Sequence, residues 1–315
     1  ATRINSQGLI ENVASGQSRL DYPLIDGVVN GCPSVLLEPQ RTNNLQRSEE
    51  FDNAYWINNG VTITANQTIS PSGELNADLL TGVSGGFGVV LFSTWTATNN
   101  VASCFAKKGS SNLFKIANGT GGTGGVTFDL EDGIVTNEDS GFDSEIENYG
   151  NGWFRCTAID TLGRSGSFTL GVTASSESVY IWGAQLESDY KTSYIPTTTT
   201  AVTRAAETAN GAGDASTFND SEGVLMVEIS ALADDGTNRY ISLSDGTTSN
   251  RVNIFFDSSN NLRGFYNGLS GSIAINTDIK LNNKIAFKYK SGDSSFWFNG
   301  FEVATRTDAL SLSGL

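Results

Sequence analysis

Along most of this chain apolar and polar residues alternate with a period of two, the pattern of strands that bury one face. Residues 60–65 (GVTITA), 101–106 (VASCFA), 114–117 (FKIA), 126–130 (VTFDL), 153–159 (WFRCTAI), 168–172 (FTLGV) and 179–186 (VYIWGAQL) carry it. Turn residues separate these runs at PSG (71–73), KG (108–109), EDG (131–133) and YGNG (149–152). About eight short strands at this spacing predict a two-sheet jelly roll over residues 44–195. In the last run Tyr180, Trp182, Ala184 and Leu186 share one face by parity, with Val179 and Ile181 opposite, as in a strand that leaves a sandwich interior.

Pro196 and the threonines at 197–200 follow, a polar β-branched tract that predicts an extended, stiff connection; the alternative is an edge strand. The small, Gly-rich run after it completes a linker at 196–216. Alternation resumes at 224–229, 240–243, 251–256 and 262–266, and is cleanest at 284–290, where Ile285, Phe287 and Tyr289 point inward and Lys284, Lys288 and Lys290 face water. In FWFNGFEV, Asn299 and Gly300 supply the two positive φ angles of a tight hairpin turn between apolar strands. Residues 217–315 therefore read as a second β-sandwich. Residues 1–43 hold only scattered apolar patches (Leu9, Ile10, Val13; Leu20, Tyr22, Leu24, Ile25; Val35, Leu36, Leu37), too few for a core. They form an extended arm that lies on the following domain or on a neighbouring subunit. The fold class expected is all-β, with two jelly-roll or β-sandwich domains in tandem behind that arm.

Composition agrees, with 35 Gly, 5 Pro, 1 Met and 10% aromatic residues among 315. Charge narrows the partners. With 19 basic against 34 acidic residues the net charge is −15, which opposes binding to nucleic acid or to anionic membrane. No apolar run reaches the ~20 residues that span a bilayer, so membrane insertion is not expected. The start, ATRINSQG, has neither the basic end nor the apolar stretch of a signal peptide, and it lacks Met, as a processed chain or a fragment would. Histidine is absent, which removes Ser-His-Asp and Cys-His catalysis and the usual zinc sites. Cys32, Cys104 and Cys156 have no metal spacing; they are buried thiols, or Cys104 and Cys156 bridge neighbouring strands. A glycosidase needs two carboxylates about 5–10 Å apart beside a cleft, and no pair stands out here. A non-enzymatic role is expected.

Four stretches in order resemble the recurrent module of bacteriophage tail-fibre and related virion proteins: LLEPQRTNNLQRSEEFDNAYW (36–56), VTFDLEDGIVTN, IENYGNGWFRCTAI, and VYIWGAQLE with TSYIPTTTTAVTRAAE. The likeness spans roughly residues 1–207. Such modules are similar to carbohydrate-binding jelly rolls, and the ladder ending in FWFNGFEV resembles the concanavalin A-like or laminin-G-like lectin sandwich, which usually continues past that hairpin. The second domain is therefore expected to be truncated or completed by another chain or segment. The resemblance implies an attachment protein at a virion surface or otherwise extracellular, assembled as a trimer with other virion proteins and bound to cell-surface polysaccharide. A sugar-binding accessory module of a secreted bacterial protein is the alternative, and a polysaccharide-degrading enzyme the second.

Sugar rings stack on aromatic faces while amides and carboxylates fix hydroxyls. Trp56, Trp153 and Trp182 lie in strand patterns that read as core. Trp95, among polar neighbours, and Trp297, opposite in parity to Phe296 and Phe298, are the candidate glycan contacts, with Tyr266 and Asn267 beside them. Calcium is the metal the resemblance implies, because carboxylates suit a hard cation and such modules often hold one. Glu50, Asp52 and Glu187 are its candidate ligands, on strands that are neighbours in the modules resembled.

Overall fold

The alternating segments of residues 1–208 pair into two antiparallel six-stranded sheets. One runs in the order Phe142–Gly150, Trp153–Asp160, Asn100–Lys108, Ser178–Ser188, Leu75–Gly82, Val61–Ile69. The other runs Ile134–Glu138, Gly124–Asp129, Leu113–Asn118, Gly166–Gly171, Gly88–Ser93, Ile57–Asn59. Leu80, Cys104, Cys156 and Ile181 of the first sheet pack on Phe114, Ile116, Phe128, Phe168 and Leu170 of the second, with Phe51 and Trp56 closing the layer. The computed structural model describes residues 1–83, 88–93, 99–118, 124–164, 166–214, 216–267, 269 and 271–315, with backbone alone at 90–93. The chain is all-β, and it divides into units of residues 1–208 and 209–315.

A bulge overturns the parity expected of Ser178–Ser188. Gly183 has φ +63°, and the pairing with Asn100–Lys108 slips between Ser103 and Phe105. The extra residue flips the faces. Val179, Ile181, Ala184 and Leu186 point into the sandwich, and Tyr180 and Trp182 point out of it. A Cβ on residue 183 would come within 2.9 Å of the Phe105 ring, so glycine is required twice over.

The outward side chains are not left to solvent. Phe105, Trp153, Trp182 and Tyr194 form a second apolar cluster on the back of the first sheet, and Ile10 of the arm belongs to it. The arm lies on its own chain: Thr2–Ile4 pairs with Ile10–Asn12, and the Thr2 hydroxyl donates to the Tyr194 carbonyl at 2.6 Å. Beside it is a buried ionic cluster. Glu38 meets Arg19 at 2.7 Å and Arg204 at 2.8 Å, with all three side chains 5% exposed or less. Glu38 also accepts from the Ser193 amide at 2.8 Å, and Arg19 is shared with Glu207.

The expected linker at 196–216 therefore starts late. Val202–Arg204 pairs with Arg41–Asn43, the Thr197 amide donates to Ser48 Oγ at 2.9 Å, and the Arg47 amide donates to the Thr198 carbonyl. Backbone groups of an extended tract need partners, and these find them on segment 41–48. Cys104 and Cys156 sit directly opposite each other in register but are free thiols, which sets aside the bridge.

Residues 209–315 form two four-stranded sheets. The first is ordered Glu222–Ile229, Asn283–Lys290, Ser294–Phe298, Phe301–Arg306, and the second Arg239–Ser244, Arg251–Phe256, Leu262–Tyr266, Ile273–Ile275. Ile254, Leu262, Tyr266, Ile285, Phe287 and Phe296 fill the space between them.

Candidate functional site

Trp297 is placed by the alternation of its strand. Phe296 is fully buried against Phe287 with ring centroids 5.3 Å apart, so the next residue must face out. Trp297 is 39% exposed, and its Nε1 donates to Ser295 Oγ at 3.0 Å. Register continues the row across the sheet: Trp297 lies opposite Ala286, and Ala286 opposite Met226. Two interstrand steps put Met226 about 10 Å from Trp297. The small Ala286 lies between them in the same row. Val224 and Met226 are strongly exposed on the edge strand. Lys284, Lys288 and Lys290 flank the row and pair with Glu228 (3.7 Å), Asp293 (2.7 Å) and Glu222 (2.7 Å), so its surroundings are charged but locally balanced.

The other candidate glycan contacts fall elsewhere. Tyr266 is fully buried, its ring 5.7 Å from Phe287, and offers no face to a ligand. The parity of Leu262–Tyr266 turns Phe265 outward instead. Asn267 is a turn residue: Oδ1 accepts from the Arg251 amide at 3.3 Å, and Nδ2 donates to the Ser249 carbonyl. Trp95 lies outside the described residues. Trp56, Trp153 and Trp182 are buried, as expected of core residues, although the last two belong to the cluster behind the first sheet.

The candidate calcium ligands are not brought together. Segment 43–51 does run beside Ser178–Ser188, with the Asn44 amide donating to the Leu186 carbonyl and the Ala184 amide to the Ser48 carbonyl. The two run antiparallel, so Glu50 and Asp52 lie at the Ile181 end, beside Asp78. Glu187 is six residues further on, about 20 Å of extended strand. There it is buried and accepts from Gln185 Nε2 at 2.6 Å, the Thr192 amide at 3.1 Å and the Thr192 hydroxyl. Glu50 is paired with Arg47 at 2.6 Å. The three residues do not fit a shared cation, and among the described residues no group of three or more His, Cys, Asp or Glu is placed to hold one.

Two carboxyls near that end, buried Asp78 and half-buried Glu49, are perturbed. Burial pushes Asp78 up to about 6 despite hydrogen bonds from the Phe51 and Asn66 amides, both 3.0 Å, with Asp52 and Glu50 adding repulsion. Burial likewise raises Glu49, which accepts from the Tyr194 hydroxyl at 2.9 Å and from Asn76 at 3.0 Å. Each has its oxygens occupied by protein donors, so the pair reads as a clasp between segment 43–56 and the first sheet. Glu38 shifts the other way: burial works to raise it, but Arg204, Ser193 and Arg19 outweigh burial and hold it below the usual range.

One surface escaped sequence reasoning, the outer face of the sheet containing Arg251–Phe256. Tyr240, Phe255 and Phe265 face out there around Arg251. The parity of RYISLS and RVNIFF is the signal that could have found it. No protein-family model matches this chain, and no curated protein matches it.

Proposed function

We propose that this chain is a non-enzymatic attachment protein of a virion appendage, built from a sandwich that carries a docked arm and a second sandwich that binds cell-surface glycan. The observation that carries the reading is the outward-facing Trp297 in line with Ala286 and Met226. An indole held in this way against a flat sheet face suits the apolar face of a pyranose, and the Lys and Glu residues around it suit hydroxyls. The trimer implied by the tail-fibre resemblance has a surface to use. Ile25, Val28, Val35 and Leu37 of the arm stay exposed after the arm has docked, and a second copy of the chain would cover them.

Glycan-array binding of the full chain tests the reading, with Trp297→Ala expected to lose about tenfold in affinity, the worth of one stacked aromatic. Silence on every glycan would end it. Light scattering tests the assembly: a monodisperse monomer would contradict the trimer and leave the sugar-binding module of a secreted protein as the reading.

A further inference from the structure

We propose that the outer face of the second unit's other sheet is a separate site for a carboxylated saccharide, whose sugar ring stacks on Tyr240 and whose carboxylate takes the Arg251 guanidinium. The inference rests on the glycan-binding reading and names a ligand class and a surface for it.

The platform comes from strand parity. Tyr240 lies opposite Phe255 in register, and the two rings stack with centroids 4.9 Å apart at 21°. Tyr240 is 50% exposed, with the Phe255 ring stacked on it and the Arg251 Cζ 5.9 Å from its centroid. One pair along, Ser242 lies opposite Asn253, and Asn253 opposite Phe265. Buried Asn253 donates to Ser242 Oγ at 2.8 Å and accepts from Arg251 Nε at 3.1 Å in the amide orientation that satisfies both. That bond fixes the guanidinium. The Arg251 Cζ then sits 5.9 Å from the Tyr240 ring and 5.8 Å from the Phe265 ring, held between two aromatic side chains.

What the guanidinium lacks is an anion. Arg239 and Arg263 on the flanking strands are each neutralised, by Asp235 at 2.8 Å and by Asp257. Asp245, in the turn that leads towards Arg251, is occupied by the Thr247 amide at 2.8 Å and hydroxyl at 2.7 Å. Among the described residues no carboxylate pairs with Arg251, in a chain with 34 acidic residues against 19 basic. Its two terminal nitrogens are a preset fork that matches a planar carboxylate in two parallel hydrogen bonds. A guanidinium about 6 Å from the ring it serves fits a pyranose stacked on Tyr240 with a carboxylate carried on the same sugar, while the Ser242 hydroxyl is left to a ring hydroxyl. Trp297 is on the opposite sheet of this unit, so the two surfaces are distinct.

The test is calorimetric titration of the full chain with an oligouronate, its neutral methyl ester, and a sulfated oligosaccharide of the same length. The expected result is binding of the oligouronate, weakened by salt, and at least about tenfold weaker binding of the ester, as loss of a charge-assisted pair requires. Arg251→Gln and Tyr240→Ala should each lose about tenfold on the oligouronate. Arg251→Lys, which keeps the charge without the fork, should recover only part of the loss, and Trp297→Ala should leave this binding unchanged. Tyr240 is half exposed, so its variant gives a readout that does not depend on the Asn253 network. Equal binding of ester and acid, preference for the sulfated ligand, or indifference to both Arg251→Gln and Tyr240→Ala would overturn the site. If saccharides bind but answer only to Trp297→Ala, the attachment reading stands and this inference falls. If no saccharide binds, both fall.

Discussion

The Glu38→Ala variant puts the docking of the arm to a direct test. In the native chain the Glu38 carboxylate faces two guanidinium groups, with Arg19 and Glu38 side chains each 1% exposed and Arg204 5% exposed. Deleting the carboxylate strands Arg204, whose other anionic neighbours Glu187 and Glu207 make no ion pair with it, whereas Arg19 keeps Glu207. Removing one partner of a buried pair costs about 3–5 kcal/mol. The surviving Arg19–Glu207 pair puts the expectation at about 3–4 kcal/mol, or a Tm lower by roughly 6–16 °C for a domain of this size. The assay is urea unfolding followed by tryptophan fluorescence. Trp56, Trp95, Trp153 and Trp182 lie within residues 1–208, so four of the five tryptophans report on the unit that holds the cluster. Adding Arg204→Met should restore part of the loss, because it removes the stranded charge. A cost under about 1 kcal/mol, the value of a solvent-exposed pair, would refute the reasoning and release the arm from this anchor.

Two pH effects of opposite sign follow from the buried carboxyls. Asp78 is raised from 3.8 to about 6, so its contribution is complete below the unfolded pKa and is lost as pH rises through about 6, by at most about 3 kcal/mol. Asp78→Asn should flatten urea midpoints measured between about pH 4 and 7, and should cost about 1–3 kcal/mol at the acid end because Asn offers one acceptor oxygen to two amides. Glu38 is lowered, so its contribution is present above the unfolded value and is lost as pH falls through the folded one; Glu38→Gln should reduce that acid-side loss. Gly183→Ala should cost about 2 kcal/mol, from the positive φ and the Phe105 contact, read by thermal unfolding; a neutral result would mean the bulge is not required. Thiol labelling of the native chain should modify exposed Cys32 at once and leave Cys104 and Cys156, whose thiols burial pushes up, until the chain unfolds; three equivalent thiols would contradict the packing.

Strand content was legible wherever one face meets the core and the other meets water, as in Asn283–Lys290, where Ile285, Phe287 and Tyr289 are buried in strict alternation. What it could not give was the burial of strands whose two faces are both covered. Trp153–Asp160 is buried almost throughout, because the main core lies on one side and the arm-covered cluster on the other. Leu75–Gly82 buries a carboxyl amid its apolar positions, which hides the period. The same problem misled the site reading. Tyr266 and Phe265 are adjacent aromatics, and only the register against Arg251–Phe256 decides which of them faces out. Glu50, Asp52 and Glu187 lie on neighbouring segments, but the direction of the chain separates them.

Sequence by itself determined the all-β class, the opposite facing of Trp297 and Phe296, and a second β-sandwich within residues 217–315, because each follows from local alternation and turn chemistry. Tertiary structure alone decided that the arm and the threonine tract are docked, that Gly183 reverses the parity of its strand, and that Arg251 comes between two aromatic rings. Those outcomes depend on contacts between residues far apart in the chain. A period of two says which side chains share a face; it does not say what covers that face.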